Sequence, residues 1–294
     1  MHTGRALRPL ILLTLVAGFV FPLFAQQDVV VRGADSMLLL AQRWSERLSE
    51  IFPRARLQVN GGGTAQGIAQ LTAGRAEVAQ LPRRLSLKER AGIESRTGHP
   101  VLEFPVAIES VTVAVNASNP VSELTVAQLR EIYTGHIDNW SKVGGRNQPI
   151  QLYSTEAAAG GSLFFREIVL GNEEFDYAMR GFSSDRQMME TLAHDANGIG
   201  FGPLANTSNT KLLRIRRSPG SAAVQPNATN IRTDAYPLSR YLYWTLRQPM
   251  DGNVKQIASW VLSSEGQLYV EGVGYYPLTP QDRGKGIAQL VAAH

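Results

Sequence analysis

Between Asp28 and Gln80 the chain repeats one local order: a short β-rich run, a glycine-bearing turn, then a helical stretch. Asp28-Val-Val-Val-Arg32 favours a pleated strand, and Gly33-Ala-Asp-Ser36 breaks it. Leu40, Trp44 and Leu48 then recur every fourth residue, which aligns them on one helical face. Arg56-Leu-Gln-Val-Asn60 reads as a second strand and Gly61-Gly-Gly-Thr64 as a second turn. Ala65 to Ala73 reads as a helix stopped by Gly74, and Ala76 to Gln80 as a third strand. Strands alternating with helices across such short connections predict an α/β unit with helices on both faces of its sheet.

Ser86 and Glu89 have the spacing of a capping box and start a helix that ends near Gly98, before Pro100. From Val101 to Asn116 the chain is almost continuously apolar and β-branched, as a long buried strand region is, and the first crossing between two lobes is placed there. Beyond Asn119-Pro120, a helix over Val126–Tyr133 capped by Thr125 and strands at Ile150–Tyr153 and Ile199–Gly202 form a second α/β unit. The polar stretch Asn206 to Thr210 reads as a surface loop. A turn and β-rich run over Tyr236–Trp244, then helical segments at Val254–Leu262 and Gly266–Val270, return the chain to the first unit. The expected boundaries are a leader over 1–25, lobe 1 over 26–112 and 236–294, and lobe 2 over 113–235.

The leader is read from Arg5 and Arg8, the apolar run Leu10 to Val20, and Pro22-Leu-Phe-Ala25 before Gln26-Gln27. This is the pattern of a secretory signal peptide cleaved after Ala25, the apolar run being short for a bilayer span. Its removal takes away two arginines and no acids, lowering the formal charge from +4 to +2. So small an excess gives no basis for a nucleic-acid partner. With Cys 0 there is no disulfide, thiolate metal site, cysteine nucleophile or lipid-attachment cysteine. The expectation is an exported, soluble periplasmic protein that is not a lipoprotein.

Five local sequences, in order, resemble the phosphate-type substrate-binding proteins of bacterial ABC importers. They are Gly33-Ala-Asp-Ser36, Asn60-Gly-Gly-Gly-Thr-Ala-Gln-Gly67, Leu129-Arg-Glu-Ile-Tyr-Thr-Gly135 with Asn139-Trp140, Gly198-Ile-Gly-Phe-Gly202, and Tyr236-Pro-Leu-Ser-Arg240. The resemblance covers nearly the whole mature chain. It implies a type 2 periplasmic-binding-protein fold: two lobes, each a mixed sheet flanked by helices, joined by a two-strand hinge and closing on an oxyanion.

The residues agree with an anion site, because helix N-termini present free N–H groups and the positive end of the macrodipole, and glycines let the backbone approach closely. Three turn-to-helix junctions qualify: Asp35-Ser36-Met37, Gly63-Thr64-Ala65 and Gly160-Gly161-Ser162. Through the resemblance, the Ser36 hydroxyl, the Met37 amide and the Thr64 hydroxyl become ligand donors. Ser and Thr at such positions are equally ordinary helix caps. Arg83 matches a frequent arginine of the subfamily and also reads as a solvated basic turn beside Arg84. Asp35 and Glu156 suit either accepting a proton from a protonated oxyanion or favouring a helix N-terminus, the second being preferred for Asp35.

The chain departs from the family pattern in two places. Pro82 stands where an acidic or hydroxyl residue is usual. The second-lobe loop, normally Arg-x-x-x-Ser-Gly-Thr, reads Thr155-Glu-Ala-Ala-Ala159-Gly160-Gly161-Ser162, so Thr155 replaces the arginine, Ala159 the serine and Gly161 the threonine. A hydrogen bond to a charged group contributes about 1.5–3 kcal/mol, and these losses weaken phosphate capture. No Gly-x-Ser-x-Gly elbow, His-Glu-x-x-His pair or P-loop occurs, and His136 and His194 read as polar turns, so no enzyme, metal or cofactor is expected. The expectation is a monomeric receptor that captures phosphate or a related oxyanion for an inner-membrane ABC permease. The alternative is a sensor or interaction module built on the same fold with altered specificity.

Overall fold

The structure, a computed structural model, describes residues 27–53, 55–155, 160–203 and 210–293. The leader and residues 156–159, Glu156 and Ala159 among them, lie outside the described residues. So does the polar stretch from Asn206, except Thr210, which begins a strand.

The first unit opens with β1 (Gln27–Gly33), α1 (Leu38–Ile51), β2 (Ala55–Asn60), α2 (Gly63–Thr72), β3 (Val78–Leu81), α3 (Leu87–Thr97) and β4 (Val101–Ser110). The second comprises β5 (Thr112–Asn116), β6 (Glu123–Thr125), α4 (Val126–Tyr133), β7 (Gln151–Thr155), α5 (Gly160–Ile168), β8 (Arg180–Phe182), α6 (Asp185–His194), β9 (Gly198–Gly202), β10 (Thr210–Leu212), β11 (Arg214–Arg216) and α7 (Ala228–Arg232). The chain then returns through β12 (Ser239–Arg247), α8 (Gly252–Val261), α9 (Ser264–Gly272) and α10 (Pro280–Ala292).

Two five-stranded mixed sheets result, ordered β2-β1-β3-β12-β4 and β10-β5-β9-β7-β8. In the first, β1 runs parallel to β2 and β3 while β12 runs antiparallel to β3 and β4. In the second, β7 runs parallel to β8 and β9 while β5 runs antiparallel to β9 and β10. The apolar run Val101–Asn116 is therefore two strands in two sheets, separated by Val111 alone. The returning strand crosses alongside, since the Leu238 carbonyl accepts from both Val111 N (3.2 Å) and Ser110 Oγ (2.8 Å).

Local chemistry explains these elements. Leu40, Trp44 and Leu48 of α1 are fully buried, the four-residue spacing delivering each to the sheet. Ser86 and Glu89 form both halves of the capping box, and Gly98 ends α3 at φ 72°. Thr125 caps α4 in the same reciprocal way with Gln128. In the second unit the rings of Phe165 and Phe201 stack 3.9 Å apart and join α5 to β9. His194 is the last residue of α6 rather than part of a polar turn. Among the described residues no helix is long and apolar enough to cross a membrane.

Candidate functional site

A cavity of about 450 Å³ is walled by both units where the strands cross. The first unit contributes Asp35, Ser36 and the start of α1. The crossing contributes Glu109, Ser110 and Val111, and the second unit Thr155, Gly161, Leu163 and Asp185. Val273 to Tyr275, after α9, close one side.

Asp35 and Ser36 lie on a short 3-10 turn between β1 and α1. Asp35 Oδ1 accepts from the amide of Gly62, the residue before α2, at 2.9 Å. Its carboxylate therefore holds the neighbouring glycine turn at the cavity edge. That turn depends on glycine, for Gly62 has φ 109° and Gly63 φ 82°. Gly33 approaches so closely that an added Cβ would stand 2.0 Å from the Gln80 carbonyl oxygen.

Of the residues singled out in the sequence, the cavity brings together Asp35, Ser36, Thr155 and Gly161. The others have different surroundings. Met37 buries its side chain, and its amide donates to the Ala34 carbonyl at 3.1 Å instead of facing the cavity. Thr64 stands in the first turn of α2, away from this wall, and Gly160 opens α5 one residue before the wall begins. Ser162 is fully buried, its hydroxyl within 3.0 Å of Ser154 Oγ and 3.2 Å of the Thr155 carbonyl, so it fastens α5 to β7.

Arg83 also lies off the wall. Its guanidinium donates to both oxygens of Glu89 at 2.9 Å, extending the capping box of α3. The Arg83 partnership lowers the Glu89 pKa from 4.5 to about 2. A depressed carboxylate contributes stability that is present above its unfolded pKa and lost as pH falls through the folded value. Both groups are partly exposed, so Arg83→Ala is expected to cost about 1 kcal/mol at pH 6. Urea unfolding from pH 6 to pH 2 checks this: the gap between variant and parent should shrink below about pH 4.5, and a pH-independent gap would assign the cost to something other than Glu89.

The sequence reading missed Glu109, Asp185 and Tyr275. Glu109 carried a signal, a charge inside an apolar strand run that it shares with Glu103, whereas Tyr275 carried none. Glu109 is 2% exposed and pairs across the strands with Arg240, whose Nε donates to Glu109 Oε2 at 2.8 Å. Arg240 also donates through Nη1 to Glu167 of α5 at 2.7 Å and lies 4.7 Å over the Phe164 ring, so one guanidinium clasps both units. Burial pushes the Glu109 carboxyl upward against the pull of Arg240. The Tyr275 hydroxyl lies beside Glu109 too, but it donates its single proton to the Ser36 carbonyl, leaving Glu109 Oε1 with no hydrogen-bond partner among the described residues. Burial likewise raises Asp185.

No Lys, Arg or His side chain lines the cavity among the described residues. The arrangement offers backbone N–H groups and hydroxyls from two units, apolar surface, and carboxylates. No group of three or more potential metal ligands occurs among the described residues.

The sequence profile of the PBP superfamily domain matches residues 24–265. The phosphate-binding protein PstS of Pseudomonas aeruginosa is 26% identical over 275 residues, covering 88% of this chain and 85% of its own. Protein SphX of Synechococcus elongatus is 27% identical over 90% of this chain and 82% of its own. Among solved structures, one described as "a possible phosphate binding protein" from Planctomyces limnophilus superimposes with a TM-score of 0.83 at 25% identity, covering 92% of this chain and 99% of that one. An ABC-type phosphate transport receptor from Vibrio cholerae shares the fold, with a TM-score of 0.67 at 24% identity over 86% of this chain and 100% of that one.

Proposed function

The chain belongs to the PBP superfamily, and from that premise we propose that it is a periplasmic solute-binding receptor, exported by its leader, that captures phosphate or a related small oxyanion between its lobes and delivers it to an ABC permease. Binding, not catalysis, is the task this site supports. Lobe 1 comprises 26–112 and 236–294 and lobe 2 comprises 113–235 in this reading, with the chain acting as a monomer.

The observation that carries the reading is the meeting of two helix-start turns on one cavity. Ser36 precedes α1 in one sheet unit, and Gly161 lies in the first turn of α5 in the other. Helix-start amides stabilise negative charge, and an anion held from both sides favours closure of the lobes. With no cation on the wall among the described residues, phosphate capture rests on hydroxyl and amide donors, and micromolar to millimolar affinity is expected.

Titration calorimetry of ligand-stripped, refolded protein with phosphate, sulfate and molybdate tests the proposal. A dissociation constant below millimolar for at least one anion is expected. Ser36→Ala should weaken it roughly 10- to 100-fold, the loss of a hydrogen bond to a charged group. Absence of anion binding tighter than millimolar would sink the receptor reading.

A further inference from the structure

Resting on the oxyanion reading above, we propose that the preferred ligand is an oxyanion carrying a primary ammonium on a short methylene arm, with the oxyanion at the helix-start turns and the ammonium drawn to Glu109 and Asp185.

The wall's charge is the first reason. Arg240 is shared by Glu109 and Glu167, so with both carboxylates ionised that clasp is left one negative charge in excess, and Asp35 and Asp185 each add another. Nothing cationic on the wall offsets them among the described residues. A bare dianion would enter against this field. A ligand with its own positive charge brings the missing compensation.

The second, independent reason is the unpartnered oxygen. Glu109 Oε2 is committed to Arg240, while Oε1 is buried and has no hydrogen-bond partner among the described residues. A buried polar atom without a partner is costly, and its field is little screened by water. Asp185, in the first turn of α6 and half-buried, likewise has no ion pair among the described residues. These carboxylates belong to the crossing strand and the second unit, and both border the cavity that Ser36 and Gly161 reach.

Size and surface are the third. A cavity of about 450 Å³ has room for several atoms beyond four oxygens around one phosphorus, given about 30 Å³ per water molecule in the liquid. Leu38, Leu39, Leu163 and Val273 provide the apolar wall a methylene arm needs.

Calorimetric titration of the ligand-stripped mature chain with 2-aminoethylphosphonate, ethylphosphonate and inorganic phosphate decides the matter. The aminoalkyl ligand is expected to bind at least tenfold more tightly than ethylphosphonate. Glu109→Gln and Asp185→Asn should each reduce that ratio at least threefold, weakening the amine ligand and strengthening the amine-free one. Thermal melts confirm folding, and if Glu109→Gln unsettles the strand crossing, Asp185→Asn carries the test. Ethylphosphonate or phosphate binding as tightly as the aminoalkyl ligand, or a ratio unmoved in folded Asp185→Asn, overturns the ammonium preference while leaving the oxyanion reading intact. If none of the three binds better than millimolar, the oxyanion reading falls and the preference with it.

Discussion

Trp44→Ala is expected to destabilise the protein by about 4 kcal/mol or more, the range in which large aromatic truncations in close-packed cores fall. Trp44 is fully buried on α1, and its ring meets that of Trp244 edge-on at 5.5 Å and 88°. Its Nε1 donates to the Gly266 carbonyl at 2.8 Å, linking α1 to α9 across 222 residues of sequence. Alanine removes the packing and also leaves the Gly266 carbonyl without this donor, a second cost of about 1–3 kcal/mol where water does not enter. Gly266 is sterically trapped, for a Cβ there would stand 2.3 Å from the Trp260 carbonyl oxygen, so α9 has little freedom to collapse into the space. Urea unfolding should show a much lower midpoint with an unchanged slope. A shift worth less than about 1 kcal/mol would mean that the α1–α9 contact is not what holds the first unit together. Because α1 begins at the cavity, Trp44→Phe, which keeps most of the packing and loses only the donor, should retain ligand binding with a smaller loss of stability.

The fold was legible wherever a residue's role is set by its immediate neighbours in sequence. The strand–turn–helix repeats, the capping boxes at Ser86 and Thr125 and the face of α1 all follow from local periodicity and capping, and the structure has them within a residue or two. Features set by distant partners were less legible. The apolar run 101–116 was read as the crossing, with the boundary set at 112, but its division into two strands of two sheets depends on β12 and β9 arriving from far along the chain. Helix α10 is weakly amphipathic, with Gly284 and Gly286 in its body. A Cβ at Gly286 would stand 2.8 Å from Cδ1 of Leu262 in the neighbouring helical segment, a close approach visible only after packing.

The candidate site shows the same division. Ser36 and Gly161, which line the cavity, were singled out because turn-to-helix junctions announce themselves locally. Arg83 was drawn to the site by pattern, but three-dimensional proximity gives it to Glu89. Glu109 was passed over because its chemistry depends on Arg240, 131 residues away, and on a tyrosine whose proton is used elsewhere.

Thr155→Arg is expected to raise phosphate affinity by roughly 10- to 100-fold, since a charge-assisted hydrogen bond contributes about 1.5–3 kcal/mol and each 1.4 kcal/mol is a factor of ten. Thr155 ends β7, is 8% exposed and lines the cavity, so a longer side chain there has the cavity as its outlet. The introduced guanidinium would be the first cation among the described residues of a wall that has Asp35, Glu109 and Asp185. Its first effect is to cancel repulsion: at an effective dielectric of 20, two unit charges about 8 Å apart interact by about 2 kcal/mol, comparable to the hydrogen bond itself. The competing outcome is that the arginine pairs with Asp185 and leaves its donors unavailable. Thr155→Arg combined with Asp185→Asn separates the two, because removing the competing carboxylate should increase the gain if pairing had hidden it. Thr155 Oγ1 lies 3.3 Å from Ser162 Oγ, so a stability loss of about 1 kcal/mol should accompany the substitution and is read from the melting temperature. The same change should weaken any ligand bearing an ammonium group, reversing the order of phosphate and 2-aminoethylphosphonate. If the folded single and double variants both hold phosphate within twofold of the parent, Thr155 does not face the ligand, and the second lobe contributes its backbone turn alone.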